Sequence, residues 1–189
     1  MNNFIKEIKK ILEEFDLSIL DEFVKLLKLV RGFKSTVFLA GNGGHFCECQ
    51  HFGQDLLSFV INNDSIPIKS FVLGGNIGTF SALANDFSYD KALIKELKVY
   101  CRKNKGNIIV CMSGSGNSKN ILEVAKWGQL NEIPVVSFTG NDGGQLKHFS
   151  NIHINVPSSN WVTIHGIHNI LFHLILEELI KSTTSRLKP

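Results

Sequence analysis

His51 and Asp55 lie four residues apart in HFGQD, and three more histidines, His165, His168 and His173, recur in IHGIHNILFH. On a helix, residues four apart project from one face, so His51 and Asp55 can share a ligand if their segment is helical. Residues eight apart are separated by about 80° around a helix axis at roughly 100° per residue. His165 and His173 therefore line one flank, with His168 near the same side. Imidazole and carboxylate are donors that suit zinc. A lone histidine on an apolar helix is more often a hydrogen-bonded interior residue, and His168 reads that way; His51 with His165 and His173 reads as a ligand set.

The loop SGSGNS, residues 113–118, offers different chemistry. Ser113, Ser115 and Ser118 supply hydroxyls, Gly114 and Gly116 allow close backbone approach, and a helix from Asn117 would add free N–H groups and a positive dipole end. Such a loop can cradle a phosphate without lysine. Glycine and serine also cap helices without binding anything, and both readings stand on this loop alone. Neither GxGxxG nor GxxxxGK[ST] occurs, so it is not a dinucleotide or P-loop fingerprint.

Two further loops have comparable character. AGNGGH (40–45) presents Asn42, Gly43, Gly44 and His45, and TGNDGG (139–144) presents Thr139 and Asp142. Asp86 in ANDF is a further candidate ligand contact; Asp86 and Asp142 read equally well as loop or helix caps. The four cysteines, Cys47, Cys49, Cys101 and Cys111, include CEC but no CxxC, so neither a zinc ribbon nor a thioredoxin motif is supported. They are expected as free thiols, with Cys47 and Cys49 facing different sides of their helix.

These loops need a scaffold. Short β-rich runs at 36–40, 67–73, 107–112, 134–140 and 151–157 alternate with helical segments at 45–60, 77–84 with 88–103, 117–130 and about 162–182. Strands alternating with helices predict an α/β fold with a parallel sheet covered on both faces. In such folds ligands bind beyond the carboxyl ends of the strands, where the three loops fall. Residues 3–33 carry apolar positions at helical intervals and read as a helical hairpin, capped between its helices by Asp16 or Ser18. Its apolar residues are numerous enough that part of the hairpin is expected against another subunit.

The chain has 189 residues, 43% hydrophobic and 20% charged, with a net charge of +3 spread along its length. One well-buried domain is expected, with 1–34 as the hairpin and 35–189 as the α/β unit, folding together. There is no clustered positive charge of the kind that marks a nucleic-acid binder. No stretch approaches the roughly 18 uninterrupted apolar residues of a membrane span. The N-terminal segment lacks the apolar region of a signal peptide, so a soluble cytoplasmic protein with neither nucleic acid nor membrane as partner is expected.

Taken together and in order, AGNGGHFCECQHFGQDL, ALANDF, SGSGNSKNILEVA, TGNDGGQL, and VPSSN followed by IHGIHNILFH resemble the sugar isomerase (SIS) domain, and within it the phosphoheptose isomerases, over roughly residues 36–181. The resemblance implies a three-layer α-β-α sandwich on a five-stranded parallel sheet, flavodoxin-like in kind, and a homotetramer with active sites between subunits. It implies one zinc per subunit on His51, Asp55, His165 and His173, with Asp55 and His173 as the acid/base pair. Asn42, Gly43, Gly44, His45, Asp86, Ser113, Ser115, Ser118 and Thr139 are the expected substrate contacts. The implied reaction converts D-sedoheptulose 7-phosphate to D-glycero-D-manno-heptose 7-phosphate through an enediol, for bacterial surface heptose in lipopolysaccharide or capsule.

The chain departs from the family's pattern at several points. Asp55 stands where the family has glutamate, His165 where it has glutamine, and Thr163 where it has arginine; the loop SFVINNDSIP lacks the arginines usual there. Aspartate and histidine are good metal ligands, but aspartate is shorter, and a misplacement of about 1 Å can cost on the order of a hundredfold in rate. A carboxylate bound tightly to zinc is also a poor free base. Isomerisation of another sugar phosphate is one competing reading. The other is a non-catalytic SIS scaffold, which would not need His51 and His173.

Overall fold

The computed structural model describes residues 2–62, 66–102 and 106–184. Part of the arginine-free loop, residues 63–65, lies outside them. The chain opens with α1 (Asn2–Glu14) and α2 (Ser18–Gly32). The Asp16 carboxylate accepts the Ser18 N–H at 3.0 Å and closes the turn between them. After this hairpin come β1 (Thr36–Ala40), α3 (Gly44–Asn62), β2 (Lys69–Val72), α4 (Ile77–Asp86), α5 (Tyr89–Tyr100), β3 (Ile108–Ser113), α6 (Lys119–Leu130), β4 (Val135–Gly140), β5 (Ile152–Val156) and α7 (Trp161–Thr184). A short 3₁₀ turn at Leu146–Phe149, not anticipated from the sequence, precedes β5.

The five strands form one parallel sheet in the order β2-β1-β3-β4-β5. Successive strand side chains point to opposite faces, and the two interiors divide accordingly. Val37 and Leu39 of β1, with Ile108, Val110 and Met112 of β3, pack against one layer of helices. Phe38 and Ala40, with Ile109 and Cys111, pack against the other. Burial on both faces explains why these strands are almost unbroken apolar runs.

The first layer is built by α1, α2, α3 and α7. Leu20, Phe23, Val24, Leu27 and Val30 recur at helical spacing along α2 and are buried in the same interior as Phe52 and Leu56 of α3 and Ile164, Ile167, Leu171 and Phe172 of α7. The hairpin thus shares its core with the sheet. Ile5, Leu17, Leu29 and Phe33 remain exposed on it. Ser158 and Thr163 both donate hydroxyls to Glu7 of α1, at 2.6 and 3.0 Å, which pins the hairpin to the start of α7.

From β1 the chain steps outward to β2 and then back across to β3, so the strand order reverses between β1 and β3. The loops after those two strands open on the crevice at this switch point, where open α/β sheets bind ligands.

Candidate active site and metal centre

The helix α3 starts at the mouth of that crevice and carries a stripe of polar residues. His45, Glu48, His51 and Asp55 fall at spacings of three, three and four along it, within one broad face. The facing helix α7 carries His165, His168, Asn169 and His173. The α3–α7 packing brings these two stripes together and divides them into two groups.

The first group is His51, Asp55 and His173, each offering a ligand atom within 4.8 Å of the others. His51 Nε2 is 3.3 Å from Asp55 Oδ2, and the His51 and His173 rings are 5.4 Å apart. Zinc bonds of about 2.0–2.2 Å in a tetrahedron place neighbouring ligand atoms roughly 3.3–3.6 Å apart, so this spacing fits the ion. His173 Nδ1 donates to the Asn169 carbonyl at 2.8 Å, which fixes the tautomer and leaves Nε2 open. Asp55 is buried while His51 and His173 reach solvent, so the group is accessible from one side.

His165 stands apart from this trio. It belongs to the second group, with His45 and Glu48, whose ligand atoms also lie within 4.8 Å of one another. The physical reason is axial. Eight helical residues rise about 12 Å at 1.5 Å each, so His165 and His173 share a flank but are two turns apart along it. Rotation alone puts the two on one flank, and the rise separates them.

In the second group His165 Nδ1 is 2.5 Å from Glu48 Oε1, and the His45 and His165 rings are 4.1 Å apart. Asn169 Nδ2 donates to the same carboxylate oxygen at 3.3 Å. His45 and Glu48 are only 8% and 5% exposed. Burial, helped by the neighbouring His168 and His165, pushes the His45 pKa down to about 3. Burial likewise holds His168 at about 3 against the opposing bond to Thr139. Glu48 is raised by its own burial, with His165 and Asn169 acting in the opposite sense. Gly44 makes room for this group, because a side-chain Cβ there would lie 2.8 Å from His165 Cε1.

The serine loop lies beside His45, whose Cε1 is 3.3 Å from where a Cβ on Gly114 would be. Ser113 and Ser118 hydroxyls are 3.1 Å apart. Ser118 occupies the N-cap of α6 without making a side-chain cap bond, so its hydroxyl is not committed to the helix. Ser115 Oγ accepts the Asn117 N–H at 3.2 Å, which leaves its O–H free to donate outward. The loop is held in place by the one after β4: Gly116 has φ +63°, and a Cβ there would collide with the Gly143 carbonyl.

Asn42 is anchored rather than free. Its amide exchanges two hydrogen bonds with Asn120 of α6, at 2.9 and 2.7 Å, and accepts the Tyr89 hydroxyl at 2.8 Å. Asn120 and Tyr89 were not singled out from the sequence; an asparagine in the first turn of the helix after SGSGNS was the available signal. Asn42, Gly43 and Tyr89 border an apolar cleft of about 220 Å³ with Phe46, Leu73, Ile77 and Phe80.

Two expected contacts take other positions. Thr139 faces β5, where its hydroxyl donates to Asn155 at 2.8 Å and meets His153 Nε2 at 2.7 Å, so its side chain is spent inside the sheet. Asp86 ends α4 on the surface and accepts from Asn85. Asp142 accepts the Gly144 N–H, consistent with its reading as a loop cap. Cys47 is exposed and Cys49, Cys101 and Cys111 are buried as free thiols; burial raises all three buried thiol pKa values, Cys101 to about 11.

Residues 3–140 match the family model described as the SIS domain. The phosphoheptose isomerase of Mycobacterium tuberculosis (strain ATCC 25177 / H37Ra) is 34% identical over 154 residues, covering 80% of this chain and 77% of that protein. That of Alteromonas mediterranea is 31% identical over 152 residues, covering 79% and 74%. Among solved structures, a phosphoheptose isomerase from Francisella tularensis superposes with a TM-score of 0.85 at 23% identity, over 95% of this chain and 94% of that one. The phosphoheptose isomerase from Neisseria gonorrhoeae gives 0.83 at 22% identity, over 94% of each. The structural likenesses establish the fold, and the sequence relatives establish kinship.

Proposed function

The chain belongs to the SIS domain family, within its phosphoheptose isomerases, and from that premise we propose that it is a sugar-phosphate isomerase converting D-sedoheptulose 7-phosphate to D-glycero-D-manno-heptose 7-phosphate. The observation that carries a catalytic reading is the convergence of His51 and Asp55 from α3 with His173 from α7. A non-catalytic scaffold has no use for this arrangement at a solvent-open edge.

The reaction moves a proton between C1 and C2 and redistributes protons on the two oxygens. With Asp55 Oδ2 turned toward His51, the second carboxylate oxygen is left for the carbon-bound proton. His173, with its Nδ1–H committed to the Asn169 carbonyl, presents Nε2 for the oxygen protons. Ser113, Ser115 and Ser118 receive the phosphate with the N-terminal N–H groups of α6. Asn42, Gly43, Gly44 and His45 border the sugar between these two ends. His51 and Asp55 would hold a zinc ion, which when bound polarises the carbonyl and hydroxyl oxygens of the substrate, with His173 completing the ligand set whenever its Nε2 is not carrying a proton.

The exposed apolar residues of the hairpin fit a homotetramer, and the product fits a cytoplasmic supply of heptose for surface polysaccharide. Among the described residues no helix is long and apolar enough to cross a membrane. The test is incubation of purified protein with sedoheptulose 7-phosphate, with and without zinc, following the aldose by NMR. Zinc-dependent conversion is the expected result. A folded, zinc-loaded protein that forms no aldose would refute the assignment.

A further inference from the structure

Three buried polar atoms without a hydrogen-bond partner gather beside α3: His45 Nε2, Glu48 Oε2 and His168 Nδ1. Glu48 Oε2 lies 3.9 Å from His45 Nε2 and 3.9 Å from His168 Nδ1, beyond direct hydrogen-bonding range. His168 Nε2 is 3.2 Å from the Thr139 carbonyl. A carbonyl only accepts, so the proton is on Nε2 and Nδ1 presents a lone pair. That lone pair and a carboxylate oxygen face each other in the interior, and no protein group donates to either. Burying acceptors in this way is unfavourable unless something positive stands among them.

We propose that His45, Glu48 and His165 bind a divalent transition-metal ion, at a site separate from His51, Asp55 and His173. Two imidazoles and one carboxylate select ions of the zinc, iron and nickel class over magnesium and calcium. The ligand atoms already lie within 4.8 Å of one another, so modest side-chain movement closes the site. A supporting contact is present: Asn169 donates to Glu48. An ion has a route in, because the His165 side chain is 23% exposed. The site lies along α3 between the serine loop and the first trio, alongside the path a phosphorylated sugar would take.

This site is independent of the isomerase reading, and metal content rather than activity tests it. Untagged protein is stripped with a chelator, reloaded with zinc, desalted and assayed for metal per chain, with a parallel cobalt titration followed by visible absorption. Wild type is expected to retain two ions per chain, Glu48→Gln and His45→Asn one, and His51→Asn one, with the cobalt spectrum of the surviving ion differing between the two sets. One ion lost in Glu48→Gln but retained in His51→Asn would also support this site, while removing the metal from the proposed isomerase centre. Metal content that Glu48→Gln leaves unchanged, whether two ions, one or none, overturns the proposal. Glu48→Gln preserves shape and carries the test if His45→Asn fails to fold.

Discussion

His165 Nδ1 and Glu48 Oε1 meet at 2.5 Å across the α3–α7 contact, 117 positions apart in the chain. A carboxylate on one ring nitrogen fixes which tautomer the histidine adopts and how its ring is aimed. The pair also sets His45 at the sugar site, its ring 4.1 Å from that of His165, and a misplacement of about 1 Å in an active site can cost on the order of a hundredfold in rate. Glu48→Gln is therefore expected to lower kcat/KM by about that factor, with the far-ultraviolet circular dichroism unchanged. Steady-state kinetics decide it; wild-type kinetics in the variant would show that the pair is structural only.

Ser118 has a hydroxyl 3.1 Å from that of Ser113 and not used as a helix cap. Hydrogen bonds to charged groups contribute about 1.5–3 kcal/mol, roughly tenfold or more in binding. Ser118→Ala is expected to raise KM by about tenfold and weaken inhibition by inorganic phosphate in parallel, leaving kcat within a few-fold. An unchanged KM would place the phosphate elsewhere.

How much of this was legible beforehand depended on which contacts are local. The strands TVFLA and NIIVCM announced themselves as continuous apolar runs because both sheet faces are covered. His51 and Asp55 were legible because four residues on one helix fix their relation. The partner of His165 was not, because only tertiary packing brings Glu48 to it, and rotation around α7 suggested His173 instead. Thr139 misled for a related reason: its place in TGNDGG implied the cleft, whereas strand pairing with Asn155 on β5 turned its hydroxyl into the sheet. Asn120 and Glu7 likewise act across long sequence separations, on Asn42 and on Ser158 and Thr163.

Phe138 joins the sheet to the first helix layer, with its ring 5.9 Å from Phe23 and 4.8 Å from Phe172, and is fully buried. Removing a buried aromatic ring costs about 3–5 kcal/mol through lost burial and the cavity left behind. Phe138→Ala is expected to destabilise the fold by that amount in urea unfolding. A loss under about 1 kcal/mol would mean that the layers are not packed as described.

The His153 pKa is lowered by burial and by the nearby Lys147 and His148. Thr139 gives its hydroxyl proton to Asn155, so it accepts from His153 Nε2, and a second proton must enter on Nδ1. The unfolded histidine, near pKa 6.5 as an ordinary value of about that size, takes up its proton first as pH falls. Stability from this group is therefore complete above that pH and declines on acidification toward the lower folded value. Urea midpoints measured from pH 7.5 to 5.5 on metal-stripped protein should decline, and less steeply in His153→Gln. Identical slopes in the two proteins would contradict the assignment.

The central claim is that Asp55 and His173 perform the proton transfers. General acid–base groups typically contribute about 10²–10⁴-fold. The most direct measurement is the rate of aldose formation from sedoheptulose 7-phosphate, by NMR, in Asp55→Asn and His173→Asn beside wild type, each confirmed folded by circular dichroism. Conversion reduced by about a hundredfold or more in both variants is the predicted result. Conversion within a few-fold of wild type in either one would contradict it.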